Sequence, residues 1–252
     1  MAKYIRFRTD STESYGTLDG QTVRQLRGDL FGDRIETGVT YDLADVKLLY
    51  PCRPGKILAV GLNYRSHLGS RPQPAHPEMF YKPVTALQDP EGPIVIPRDA
   101  IEVHYEGEIV VVIGKPVKNV SAEEARGAIF GVTCGNDVSE RNWQHGAGKD
   151  LQWWRAKGSD TFAPLGPAIV TDIDYGNLLL QTRLNGEVVQ KQYTSDLIFD
   201  CPSIVSWVSG WVTLLPGDIV YTGTPGTTRR LSPGDVVEVE IEGIGVLRNP
   251  VR

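Results

Sequence analysis

The sequence predicts an α+β fold that is mostly β, with a small β-rich N-terminal piece ahead of a larger domain. Three observations carry this. Apolar and β-branched residues come in short bursts of roughly four to eight, the length of strands. The turn dipeptides Asp19-Gly20 and Asn185-Gly186 each sit between two such bursts, as hairpins require. Helix signals are confined to brief stretches, and no repeat recurs at a fixed period.

In chain order, residues 15–18 and 22–26 flank Asp19-Gly20 as the arms of a hairpin. Pro51-Cys-Arg-Pro-Gly55 is a connector, which divides the chain into 1–50 and 51–252. Residues 57–60 read as a buried strand, and Ser70-Arg-Pro-Gln-Pro-Ala-His-Pro77 as an extended loop. Residues 103–113 give the clearest strand, ended by Gly114-Lys115-Pro116. Ser121-Ala-Glu-Glu124 is a capping box opening a helix towards Arg126. Residues 129–134 return as a strand, and 178–184 and 187–190 flank Asn185-Gly186. Pro202 suits the first turn of a helix that places Ile204, Val205, Val208 and Trp211 on one stripe. Strands over 219–221, 236–241 and 246–248 close the chain.

The 252 residues carry 26 Lys+Arg against 31 Asp+Glu, a net charge of −5, which argues against a general nucleic-acid binder. No apolar run approaches the roughly 18 residues of a membrane span, and the N-terminus turns charged too early for a secretory signal. A cytoplasmic location is the expectation. Cys52, Cys134 and Cys201 lack metal or redox spacing and are expected to be reduced and mostly buried.

The segment His104-Tyr-Glu106-Gly-Glu108 leads into Ile-Val-Val-Val-Ile. Residues two apart in a strand share a face, so Glu106 and Glu108 point the same way as Val110 and Val112. If the valines mark the core, both carboxylates sit at its rim and need a cation, for which Mg²⁺ or Mn²⁺ suits oxygen ligands. The alternative is a solvated strand start. Asp137, across a glycine from the strand at 129–134, would add a third carboxylate. With a divalent ion the three retain one negative charge, which a single lysine would neutralise. Lys157 is the candidate, against the alternative of a surface lysine. His67 suits a general base, with a polar surface role as the alternative. The glycines of Thr222-Gly-Thr-Pro-Gly-Thr-Thr228 would either cradle an anion or simply turn the chain.

Seven stretches, in order, resemble the fumarylacetoacetate hydrolase family: Gly61-Leu-Asn-Tyr-Arg-Ser-His67, Tyr81-Lys-Pro83, His104-Tyr-Glu-Gly-Glu-Ile-Val-Val-Val-Ile-Gly-Lys115, Asn136-Asp-Val-Ser-Glu-Arg-Asn-Trp-Gln144, Lys157-Gly-Ser-Asp-Thr-Phe-Ala-Pro-Leu-Gly-Pro167, Leu184-Asn-Gly-Glu187, and Leu215-Pro-Gly-Asp-Ile-Val-Tyr-Thr-Gly-Thr-Pro225. The resemblance implies a mixed β-roll or sandwich, usually a homodimer, binding Mg²⁺, Mn²⁺ or Ca²⁺ through Glu106, Glu108 and Asp137. It implies that Lys157 faces metal and substrate, that Gln144 and Thr224 contact substrate, and that His67 activates water. One departure stands out. Relatives that hydrolyse acylpyruvates pair the histidine with a glutamate three residues later, where this chain has Ser70 after Gly69; Glu78 is the alternative carboxylate.

The family's substrates are small 2-oxo acids and β-dicarbonyl compounds. The resemblance therefore implies a divalent-metal-dependent hydrolase or lyase that cleaves a C–C bond, by acylpyruvate hydrolysis or oxaloacetate-type decarboxylation. A keto–enol isomerase or tautomerase of the same substrates is the alternative, and a catalytically weak metal-dependent small-acid binder a third. Nucleic acid and membrane are not expected partners.

Overall fold

The computed structural model describes residues 1–10 and 12–252. Its centre is the strand Gly107–Ile113, all of whose residues are buried. Ile109, Val111 and Ile113 face one apolar cluster while Val110 and Val112 face another, which explains why this stretch is apolar without alternation.

Around it a 12-stranded mixed sheet runs in the order Arg34–Asp42, Thr22–Gly28, Thr12–Asp19, Lys3–Thr9, Ala163–Val170, Ile129–Asn136, Gly107–Ile113, Ile219–Tyr221, Ile57–Gly61 and Glu78–Lys82. Lys47–Leu49 and Leu87–Gln88 attach beside this path. Ile219–Tyr221 and Ile57–Gly61 run parallel, and the neighbouring ladders are antiparallel. A second sheet, Glu187–Tyr193, Leu179–Leu184, Val236–Ile241 and Gly245–Pro250, supplies Leu180, Val239 and Leu247 to the cluster beneath Ile109 and Val111. This is the mostly β, α+β architecture expected from the sequence.

Both hairpins form, with Asp19 opposite Thr22 and Leu184 opposite Glu187. The N-terminal strands do not make a separate sheet. Lys3 and Tyr4 pair with Val170 and Ile169, so the first strand extends the main sheet. The capping box closes on the helix Ala122–Arg126 through Ser121 and Glu124. In the helix Cys201–Trp211, Asp200 caps the start and Ile204, Val205 and Val208 are buried. Trp211 departs from the predicted stripe: it is 73% exposed, because the helix ends there and its ring lies edge-on to Trp207 instead of the sheet.

The predicted strand over 103–113 is interrupted. Val103–His104 pairs with Ser139–Glu140 in a separate two-stranded ladder, and Tyr105 and Glu106 lie outside both strands. The Glu106 N–H donates to Asn136 Oδ1 at 2.9 Å, and the Asp137 N–H donates to the Glu106 carbonyl at 2.9 Å. These bonds replace the regular ladder at the point where acidic side chains leave the sheet.

Gly135, opposite Glu108 in the ladder, has no room for a side chain. A Cβ there would stand 2.4 Å from Val110 Cγ2 and 2.5 Å from Tyr221 Cε1. Gly135→Ala is expected to lower the unfolding free energy by about 1–3 kcal/mol, as overpacked cores do. The shift in urea midpoint measures it; an unchanged midpoint would mean that the Tyr221 ring yields freely.

Candidate active site

The interrupted strand, the end of its neighbour and the turn after Ile219–Tyr221 meet at one buried cluster. One carboxylate oxygen from each of Glu106, Glu108 and Asp137 lies within 4.8 Å of the others, and all three residues are buried. The pairing of Glu106 with Glu108 thus arises differently from the expected shared strand face, since Glu106 reaches the cluster from outside the ladder.

Three cations answer these carboxylates. Lys157 Nζ donates to Glu106 Oε2 and to Asp137 Oδ2, both at 2.6 Å. Lys82 Nζ donates to the other Asp137 oxygen at 2.5 Å, and Arg141 Nη2 to Glu106 Oε1 at 2.5 Å. Lys157 is buried, placed by the short helix Trp154–Gly158 that begins at Trp153, a residue in the left-handed region with φ +56°. The expected single lysine is therefore joined by Lys82 and Arg141, two cations that spacing alone did not reveal.

The electrostatics split the pair of glutamates. Burial raises the Glu108 carboxyl well above the usual carboxylate range, and Asp137 and Glu106 add to this. Burial acts the same way on Glu106, but Arg141 and Lys157 outweigh it and hold that carboxyl well below its usual value. Burial also opposes the charge on Lys157, which Asp137 and Glu106 more than offset, raising its pKa. On Lys82 burial prevails over Asp137 and lowers the pKa.

This donor set fits a hard divalent cation. It offers three oxygen ligands within a span that bonds of about 2.0–2.6 Å can bridge. Glu108 Oε2 accepts the Gly223 N–H at 2.7 Å, and the second oxygen has no protein donor among the described residues. Gly223 adopts φ +104° and a Cβ there would stand 2.9 Å from Asn63 Cβ, so glycine is what lets the N–H approach. The glycine-rich turn thus donates to a carboxyl group of the protein itself.

A cavity of about 200 Å³ opens onto the cluster, lined by Glu106, Glu108, Lys157, His67, Gln144 and Thr224 among others. Asp137 is not among these wall residues but is hydrogen-bonded to Lys157, which is. All seven candidate residues therefore come together. Gln144 Oε1 accepts from Arg141 Nη1 at 2.7 Å. The Thr224 hydroxyl donates to the Gly107 carbonyl at 2.9 Å and accepts from Gln190 Nε2 at 2.9 Å, so it ties the turn to the strand. Gln190, from the second sheet, also reaches the Pro225 carbonyl at 2.6 Å and was not foreseen. Arg71, His145, Phe80 and Trp153 complete much of the wall. A larger groove of about 1040 Å³ shares Phe80 and Trp153 with this cavity and is otherwise lined by residues such as Met79, Tyr81, Lys82 and Trp154, with Glu106, Glu108 and Asp137 not among them.

His67 lies on the short helix Arg65–Leu68. Its Nδ1 is hydrogen-bonded to the Gly226 carbonyl. Because a carbonyl only accepts, Nδ1 carries the proton and Nε2 of the neutral ring keeps its lone pair. Glu78 does not serve His67: its nearest basic group is His76, with Nδ1 3.7 Å from Oε1.

The fumarylacetoacetate (FAA) hydrolase C-terminal family matches residues 56–252. The chain belongs to the fumarylacetoacetate hydrolase family. Residues 2–51 match the Rv2993c-like N-terminal family. Among relatives of the hydrolase family, the chain is 45% identical over 251 residues to Protein Rv2993c of Mycobacterium tuberculosis, covering 94% of this chain and 93% of that one. It is 42% identical over 221 residues to the mitochondrial oxaloacetate tautomerase FAHD2A of Bos taurus, covering 82% and 70%. The crystal structure of 2-hydroxyhepta-2,4-diene-1,7-dioate isomerase from Mycobacterium marinum superposes with a TM-score of 0.92 at 43% identity, covering 100% of this chain and 98% of that one. No helix among the described residues is long and apolar enough to cross a membrane. Cys52, Cys134 and Cys201 are free and buried, and burial pushes the thiols of Cys52 and Cys201 up to about 12.

Proposed function

We propose that the protein enolises a small 2-oxo acid, acting as a keto–enol tautomerase or isomerase, with a divalent cation, Mg²⁺ or Mn²⁺, held by Glu106, Glu108 and Asp137. The observation that carries this reading is the hydrogen bond from His67 Nδ1 to the Gly226 carbonyl, which leaves Nε2 of this wall residue as the available base, with no carboxylate on the ring among the described residues. A carbonyl fixes the tautomer as a carboxylate would, but it brings only a dipole to the imidazolium formed when a proton is taken. Hydrolysis asks this imidazole both to make hydroxide and to return a proton to the departing carbon. Enolisation asks it only to move a proton between carbon and oxygen of one substrate.

A bound divalent cation would supply Lewis acidity to the ketone oxygen. The chain's own residues would do the rest. Nε2 of His67 takes the proton from the carbon next to the ketone and delivers it to the ketone oxygen, or the reverse. Lys157 and Arg141 stabilise the negative charge that develops on oxygen. Gln144, fixed by Arg141, orients the acid, and Thr224 holds the turn that carries Gly223 and Gly226. Every wall residue of the cavity lies at position 60 or beyond, which supports 51–252 as the catalytic part and 1–50 as a β-rich appendage. The names of two relatives, an oxaloacetate tautomerase and a 2-hydroxyhepta-2,4-diene-1,7-dioate isomerase, support the same class.

Parallel assays with Mg²⁺ test this: keto–enol equilibration of oxaloacetate followed by enol absorbance, and hydrolysis of an acylpyruvate. Equilibration at least a hundredfold more efficient than hydrolysis is the expected result; comparable hydrolysis would restore the C–C hydrolase reading. Glu106→Gln is expected to weaken Mg²⁺ binding at least tenfold, since it removes one ligand charge. Calorimetric titration reads this, and unchanged affinity would take Glu106 out of the ligand set.

A further inference from the structure

The cavity wall carries one arginine, partly open to solvent, that has no carboxylate partner among the described residues. Arg71 lines the cavity with Arg141, Lys157, His67 and His145. Its Nε donates to the Leu68 carbonyl and its Nη2 to the His67 carbonyl, each at 3.2 Å, so the guanidinium is tethered to the turn that bears the imidazole. The other cations around the cluster are paired: Arg141 with Glu106, Lys157 with Glu106 and Asp137, and Lys82 with Asp137. Among the described residues no carboxylate lies within 4.0 Å of Arg71. Its field reaches the cavity: after burial, the charges of Arg141, Lys157 and Arg71 all push the His145 imidazole down towards its neutral form.

The balance of the cluster points the same way. Three carboxylates already face three cations, so a divalent ion would leave the cavity with excess positive charge before Arg71 is considered. A monoanionic 2-oxo acid would neutralise only part of it. We propose that Arg71 selects 2-oxo acids bearing a second carboxylate, and holds that carboxylate beside the turn that bears His67. This rests on the enolisation reading for the reaction but concerns a separate contact. Arginine suits it because its planar fork meets a carboxylate with paired donors. The volume of about 200 Å³ limits the acid to a few carbon atoms.

The test compares oxaloacetate with its 4-methyl ester, which keeps the carbon skeleton and removes the distal charge. Deuterium uptake at C3, followed by proton NMR with Mg²⁺ present, gives kcat/KM for each. Wild type is expected to favour the diacid, and Arg71→Gln to lower the diacid-to-ester ratio by about 10–100-fold, the scale of a lost charge-assisted hydrogen bond. Arg71→Lys is expected to recover part of that ratio. A ratio that Arg71→Gln leaves unchanged, whether both substrates slow equally or neither does, overturns the proposal. Equilibrium binding of 3,3-difluoro-oxaloacetate and its 4-methyl ester, which have no hydrogen at C3, reads the same selectivity without turnover. If wild type enolises neither substrate yet binds the diacid better in an Arg71-dependent way, the enolisation reading fails and the Arg71 contact stands; binding without such dependence sinks the contact.

Discussion

His67→Ala is expected to lower enolisation of a 2-oxo acid by about 10²–10⁴-fold, the contribution of a positioned general base. The loss falls on kcat, because the acid is held by other residues: Lys157, Arg141 and Gln144 remain in the cavity wall. Metal affinity is expected to stay within a factor of two, as the ring's hydrogen bond goes to the Gly226 carbonyl and, among the described residues, none goes to Glu106, Glu108 or Asp137. Steady-state kinetics and Mg²⁺ titration of the same preparation check both halves. A variant that retains a tenth or more of wild-type turnover would move the base elsewhere, with His145 the other imidazole on the wall.

The second large effect is expected from Lys157→Met. Its ammonium bridges Glu106 and Asp137 at 2.6 Å each, inside a buried cluster, so removing it strips two carboxylates of a shared partner. Breaking such a pair costs about 3–5 kcal/mol of stability in the metal-free protein at neutral pH. The loss is expected to shrink as the solution is acidified, because protonated carboxyls no longer need the cation. Added Mg²⁺ is expected to raise Tm by more in the variant than in wild type, since a cation bound only to the folded state replaces part of the missing charge. Turnover with saturating Mg²⁺ is expected to fall about 10²–10³-fold, as when an electrostatic stabiliser is lost. Thermal melts and kinetics with and without Mg²⁺ decide the matter: wild-type stability without metal would mean that Lys82 and Arg141 already suffice.

How much of this was legible in the sequence depends on how local its cause is. The hairpin at Asp19-Gly20, the capping box at Ser121 and the helix after Asp200 formed where expected because neighbouring residues determine them. The break at Tyr105 and Glu106 was not legible. It is made by hydrogen bonds to Asn136 and Asp137, some thirty residues along the chain, and no proline or bulge signal marks it. The carboxylate triad and Lys157 followed from residue type, spacing and family resemblance taken together. Lys82 and Arg141 escaped because their carboxylate partners are 55 and 35 residues distant, and an isolated lysine or arginine in sequence reads as solvated surface. Their positions fell inside the Tyr81-Lys-Pro83 and Asn136 to Gln144 motifs, so the resemblance held the signal that spacing lacked. The histidine without its glutamate was visible as Ser70, but the carbonyl that takes over its Nδ1 comes from Gly226, 159 residues along the chain.

That exchange of a carboxylate for a carbonyl behind His67 is the centre of the account, and exchange of substrate hydrogen tests it most directly. Oxaloacetate in D₂O with Mg²⁺ should gain deuterium at C3 in the presence of the wild-type protein far faster than in buffer, and His67→Ala should return the rate close to that of buffer with Mg²⁺ alone. Wild type that leaves the C3 exchange rate unchanged while hydrolysing an acylpyruvate efficiently would contradict it.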